Sequence, residues 1–310
     1  MRVAVTGASG FVGGAVCRAL SAAGHEVVGF GRRPTPAPGH VGAAAYRRWD
    51  LTGGPLADAP DADAVVHCAG TVSDWGPRRE FFAVNVDGTR HALATWPDAR
   101  FVHVSTVSVY DPRRPTVMAT ENEAPAGRYL NAYGQSKAEA ERVVLAADRS
   151  AIVLRPHAVY GPGDTTLLPR VLAAVRGRRL PAVGDGRQPI SLTSIGNVVQ
   201  ACTLAACGPV DRGVFNVTDA APVVLDDALR AILAARGVHA RPVYLPLAAV
   251  WPVATVVEAL YRLARSPRPP RLTRYAISHL AVERTLDITA ARAVLGYRPE
   301  STSFTGAADW

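Results

Sequence analysis

Lysine is almost missing from this chain of 310 residues: of its 34 basic residues, 33 are arginine and one, Lys137, is lysine. Cysteine is scarce as well. Cys17, Cys68, Cys202 and Cys207 form no Cys-x-x-Cys pair and join no histidine at zinc-ligand spacing. That pattern argues against a disulfide framework and a metal site, and it predicts buried free thiols in a reducing compartment. No repeat of roughly 20–50 residues is visible, which excludes a solenoid. No long apolar run is present either. Residues 242–257 lack charge, but Pro242, Pro246 and Pro252 interrupt them, and the stretch falls short of the roughly 20 residues a membrane-spanning helix needs. The net charge of +8 comes from arginines spread over the whole length rather than gathered on one stripe, so nucleic acid is not the expected partner. What is there is 48% hydrophobic residues, enough to core one large α/β domain or two small ones.

Residues 2–6 read as a buried strand that begins almost at the first residue. With no room for a cleavable leader, the protein is expected to be cytoplasmic. The turn Gly7-Ala8-Ser9-Gly10-Phe11-Val12-Gly13 follows, and an apolar pattern through Leu20 predicts a helix. Further strands are expected at 25–30, 64–67, 100–105, 151–155 and 213–217, alternating with helical stretches. Such alternation predicts an α/β fold, a doubly wound parallel sheet of Rossmann type whose ligand sits at the carboxyl ends of the strands. Residues 1–161, with 190–218 returning to them, form the expected dinucleotide-binding domain. Residues 162–189 and 219–310, where the alternation weakens, form a smaller, discontinuous substrate-binding region.

In Gly7-x-x-Gly10-x-x-Gly13 the first glycine permits a tight turn, the second lets backbone approach a pyrophosphate, and the third lets helix pack on sheet. The helix N-terminus is thereby aimed at the anion. The second strand ends Gly29-Phe30-Gly31-Arg32-Arg33. Gly31 stands where an NAD-selective site places a carboxylate, and Arg32 follows it, so NADP(H) is the preferred cofactor, with NAD(H) left open. Asp50 and Leu51 are candidates for the adenine edge, or for an ordinary surface turn. Tyr133 and Lys137 stand four apart on one helix face, where the ammonium stabilises a phenolate and lets tyrosine exchange a proton. Upstream, Ser105, Thr106 and Ser108 offer hydroxyls to a substrate carbonyl.

Taken together, these motifs resemble the extended short-chain dehydrogenase/reductases. The resemblance covers nearly the whole chain, including His67-Cys68-Ala69-Gly70, Asn85-Val86-Asp87-Gly88-Thr89 and Arg155-Pro156-His157-Ala158-Val159-Tyr160-Gly161. It implies Thr106, Tyr133 and Lys137 as the catalytic set. Around the cofactor it implies Gly7, Ser9, Gly10, Phe11, Val12, Gly13, Arg32, Asp50, Leu51, Ala69, Gly70, Pro156 and Val159. Pro270-Arg271-Leu272-Thr273-Arg274-Tyr275 and Leu295-Gly296-Tyr297 are similar to the branch of 3β-hydroxysteroid dehydrogenases and 2-alkyl-3-oxoalkanoate reductases. The implied function is NADP(H)-dependent reduction of an apolar ketone, or oxidation of the alcohol, on a polyketide, fatty-acyl or steroid-like substrate. A nucleotide-sugar 4-epimerase or dehydratase is the enzyme alternative, and a cofactor-binding regulatory protein the non-enzyme one. A homodimer is left open. The uncharged stretch 242–257 and the residues after it are expected to form a lid or pocket wall, with core packing and peripheral membrane contact as the alternatives.

Overall fold

A computed structural model describes residues 1–147 and 149–310. Seven strands form the main sheet: β1 (Arg2–Thr6), β2 (Glu26–Gly31), β3 (Ala45–Arg48), β4 (Ala64–His67), β5 (Arg100–Val104), β6 (Ala151–Pro156) and β7 (Arg212–Val217). All pair in parallel, in the order β7-β6-β5-β4-β1-β2-β3, so all seven carboxyl ends share one edge. The order reverses between β1 and β4, and the crevice at such a switch point is where this class of sheet takes its ligand.

Side chains alternate across the sheet, and each face has its own core. Val3 and Val5 of β1 and Val66 of β4 pack with Val16 and Leu20 of α1 (Phe11–Ala22). On the opposite face Ala4, Val65, Phe101 and Val153 pack against Trp96 and Val144. That face is covered by a helical segment running from α2 (Arg78–Phe82) through a π turn at Ala83–Asp87 into α3 (Gly88–Thr95), and by α4 (Ala132–Ala146). The sheet is therefore a doubly wound Rossmann-type layer. Its strands fall within a residue of the expected ones except β3, whose sequence Ala-Tyr-Arg-Arg is half-exposed at the sheet edge and carries no apolar alternation to reveal it.

Beyond β6 the chain adds α5 (Leu167–Ala174), then α6 (Ile195–Cys207), which returns to the α1 face of the sheet. After β7 come α7 (Leu225–Ala235), α8 (Leu247–Leu263) and α9 (Arg274–Leu280). A separate core gathers Leu168, Leu180, Ile190, Leu229 and Leu233, and a smaller one joins Val183, Ala254 and Ile277. Asp219, buried at the turn out of β7, ties the parts together. Its two oxygens accept from Ser194 N, Asn197 Nδ2, Tyr160 and Thr302 at 2.7–2.8 Å, which satisfies the carboxylate without a cation.

Candidate active site

The glycine turn is held by backbone meeting backbone. Gly7 has φ +70, and a Cβ there would lie 2.7 Å from Ala69 N, while a Cβ on Gly13 would lie 2.3 Å from Gly7 O. The end of β1, the loop after β4 and the first turn of α1 thus close on one another, and only glycine fits between them. Behind them Thr6 Oγ1 lies 2.8 Å from the buried His67 Nδ1 and accepts from Ala69 N. No side chain caps α1, whose N-cap is Gly10, and its first turn carries no acid. Uncapped first-turn amides at the positive end of a helix, opening on the crevice, suit a pyrophosphate.

The neighbouring positions gather around this turn. A Cβ on Gly31 would lie 2.8 Å from Ser9 Oγ, so Ser9 faces the end of β2, where Arg32 and Arg33 are exposed. Phe11 approaches Gly163, whose Cβ would sit 3.7 Å from its ring. Half-buried Val12 packs against the α1 side of the core, and Gly70 is exposed beside buried Ala69. The Asp50 carboxylate is taken up locally, accepting from Thr52 N and Thr52 Oγ1 at 3.0 and 2.8 Å, and these bonds hold it below the usual carboxylate range. Leu51 turns into the core. Pro156 ends β6, and Val159 pairs with Thr193 three residues on.

Close approach also builds the candidate catalytic cluster. Asn131 caps α4 by accepting from Gly134 N at 3.0 Å, and a Cβ on Gly134 would lie 2.7 Å from Ser108 O. Glycine there lets the first turn of α4 reach the loop that follows β5. Tyr133 is consequently buried, and the Thr106 hydroxyl lies on the same side of the crevice. Burial pushes the phenol above its ordinary value, against a smaller downward pull from Thr106.

Lys137, one turn along α4, is 4% exposed. Its Nζ donates to Val104 O at 2.6 Å and to His103 Nε2 at 3.1 Å. Burial brings the ammonium down to about 8, against a smaller upward pull from Glu141. His103 is driven well below its usual range by burial and by Lys137, so it stands as a neutral ring that accepts at Nε2. Two of the three N–H bonds of Lys137 are therefore spent on β5, and one is left for the crevice.

No local spacing ties His103, Asn85 or Tyr275 to this cluster, whereas Ser108 is one of the three hydroxyls expected after β5. His103, stacked on His67 at 5.4 Å, braces Lys137 from inside the sheet. Asn85, inside the π turn, accepts from Thr71 N at 2.7 Å and donates to Ser136 Oγ at 2.9 Å, fastening the loop after β4 to α4. Ser108 lies 3.2 Å from Thr106 Oγ1 and 2.7 Å from Tyr275 Oη. Tyr275, on α9, meets the Tyr133 ring edge-on at 6.3 Å. Tyr275 stood in a recognised motif, yet no local spacing ties residue 275 to residue 133. In the expected lid, Trp251 packs inward with Val183 and Ile277, whereas Leu260 is 58% exposed on the outer side of α8 and walls nothing.

Known proteins are similar to this chain along its whole length. It is 32% identical over 313 residues to a 2-alkyl-3-oxoalkanoate reductase of Shewanella oneidensis, covering 94% of this chain and 81% of that protein. It is 33% identical to a 4-hydroxy-2-methyl-3-oxo-4-farnesyl-3,4-dihydroquinoline-1-oxide ketoreductase of Stigmatella aurantiaca, covering 96% and 92%. Among solved structures, MoeE5 in complex with UDP-glucose and NAD superposes with a TM-score of 0.75 at 26% identity, covering 100% of this chain and 97% of that one. The profile of the NAD dependent epimerase/dehydratase family matches residues 3–218. With its glycine turn, parallel sheet and Tyr133–Lys137 pair, the chain belongs to that family and is an NAD(P)-dependent oxidoreductase of the extended short-chain dehydrogenase/reductase type.

Proposed function

We propose that the protein is an NADPH-dependent ketoreductase acting on an apolar 3-oxo substrate of fatty-acyl, polyketide or steroid-like kind. The observation that carries this reading is the buried Tyr133 phenol one helical turn from the only lysine, itself buried and held by Val104 O and His103. When bound, a reduced nicotinamide supplies a hydride to the carbonyl carbon. Thr106 and Tyr133 donate to the carbonyl oxygen, and Tyr133 gives it a proton as the alcohol forms. Lys137, held by Val104 O and His103, directs its third N–H to the cofactor ribose and keeps positive charge near the phenol. The glycine turn and the open end of α1 take the pyrophosphate. The 32–33% identity to two reductases of 3-oxo compounds supports this substrate class. The test is a panel of ketones followed by loss of NADPH absorbance. Oxidation with 3-oxo acyl and steroid ketones, and none with nucleotide sugars, is the expected result.

The second reading, a nucleotide-sugar 4-epimerase or dehydratase, is favoured by the similarity to MoeE5, whose structure holds UDP-glucose. It requires tightly retained NAD and turnover without added nicotinamide. Turnover of a UDP-sugar under those conditions, with no ketone reduced, would replace the first reading.

NADPH selectivity rests on Gly31, which presents no carboxylate, and on the exposed guanidinium of Arg32 beside it. Arg32→Ala is expected to weaken NADPH about 10- to 100-fold while sparing NADH, as loss of one charge-assisted contact worth roughly 1.5–3 kcal/mol requires. Equal affinities of the parent for the two nucleotides, by fluorescence titration, contradict the assignment.

The reduction should also slow in alkali. Lys137 loses its proton as pH rises through about 8, whereas burial keeps the Tyr133 phenol protonated beyond that point. kcat/KM for ketone reduction should therefore fall with increasing pH through this range, and alcohol oxidation should rise, because one direction consumes the proton that the other releases. A reduction profile flat across that interval removes Lys137 from the proton-transfer scheme.

A further inference from the structure

The outer face of α8 takes no part in the site, and its polarity is inverted. Its one acid, Glu258, is 4% exposed and accepts from Arg274 Nε at 3.0 Å, while Val250, Trp251 and Ala254 pack inward with Val183 and Ile277. Outward, Val253, Val256, Leu260 and Leu263 are 61%, 59%, 58% and 83% exposed. Spacings of three, four and three residues put them on one stripe, and exposed Ala249, Pro252 and Ala259 border it without a polar group. A helix that faces only water carries its charge on this side, and a contiguous apolar stripe marks a surface that meets something apolar.

Cations stand at one end of the stripe. Arg262, Arg265, Arg268 and Arg271 are all exposed. Arg262 lies 3.6 Å from the Glu258 carboxylate, and among the described residues the other three have no carboxylate within 4 Å. Arg265 closes the helix with φ +49, a left-handed position where glycine is the cheap residue, yet the chain carries a guanidinium there. The outer face of α8 on a second copy offers these arginines no carboxylate, since Glu258 is buried and paired, whereas an anionic lipid surface offers both the apolar layer and the phosphates.

We propose that the outer face of α8, with Arg265, Arg268 and Arg271, docks the protein on the surface of an anionic phospholipid bilayer. The helix lies in the interface rather than across it, in keeping with the lack of any described helix long and apolar enough to span. The docked helix adjoins the crevice. Trp75, five residues past Gly70, donates its indole N–H to Ser266 O at 3.0 Å and meets Tyr261 edge-on. The docking does not depend on which substrate the site takes.

The test is flotation of the full chain with phosphatidylcholine vesicles, with and without phosphatidylglycerol. Co-flotation with the phosphatidylglycerol vesicles is expected. It should drop about tenfold in Val256→Glu/Leu260→Glu and severalfold in Arg268→Gln/Arg271→Gln or in high salt, with unchanged melting temperatures because all four side chains are exposed. Failure to float with either vesicle overturns the proposal. So does equal, salt-insensitive binding to phosphatidylcholine alone, or a dimer in sedimentation that Leu260→Glu converts to monomer.

Discussion

Tyr133→Phe is expected to lose about 10²–10⁴ in kcat while leaving the melting temperature and NADPH affinity near those of the parent. The substitution removes one hydroxyl from a side chain whose ring stays packed against Tyr275, so the cluster keeps its shape and loses only the proton. Lys137→Arg should lose comparable turnover for a different reason. The pocket admits a compact ammonium between Val104 O and His103 Nε2, and a planar guanidinium cannot reproduce both contacts. Steady-state kinetics beside thermal melts separates these effects from unfolding. Parent-like turnover in Tyr133→Phe contradicts the proton-transfer role.

Arg155→Met should be the most destabilising of the single substitutions considered. Arg155 and Glu141 are 1% and 0% exposed, joined by two bonds of 3.0 and 2.8 Å, and Glu141 also accepts from Ser105 Oγ. Arg155 further donates to Glu121 O and Ala124 O, so one guanidinium fastens α4, β6 and the loop at 121–124. Removing it strands a buried carboxylate, which costs about 3–5 kcal/mol and should lower the melting temperature by on the order of 10 °C. The double variant Arg155→Met/Glu141→Leu, in which no charge is left unpaired, should regain most of that loss. A single-variant cost below about 1 kcal/mol, measured by denaturant unfolding, contradicts the assignment.

Much of this architecture is visible in the sequence because its signals are local. The glycine turn, the period of β1, β2 and β4 and the Tyr133–Lys137 spacing each lie within a few residues, and the structure brings these parts to one edge of the sheet. What escaped is contact at long range. Ser108 and Tyr275 are 167 residues apart, and His103 reaches Lys137 only because α4 lies across β5. Glu141 was within reach of the same spacing argument, four residues beyond Lys137 on the same helix face, but its partner Arg155 belongs to the next strand. For α8, lack of charge at 242–257 marks an apolar helix, yet which face turns inward is decided by Val183 and Ile277, far from it in the chain.

The most direct measurement is the fate of a deuterium label carried at C4 of NADPH when the enzyme is given an apolar 3-oxo substrate. The account predicts one deuterium at the new carbinol carbon, seen by mass spectrometry of the product, with Tyr133→Phe slowing its appearance about 10²-fold or more. Label that stays on the nicotinamide while an added UDP-sugar is converted without net cofactor use would contradict it.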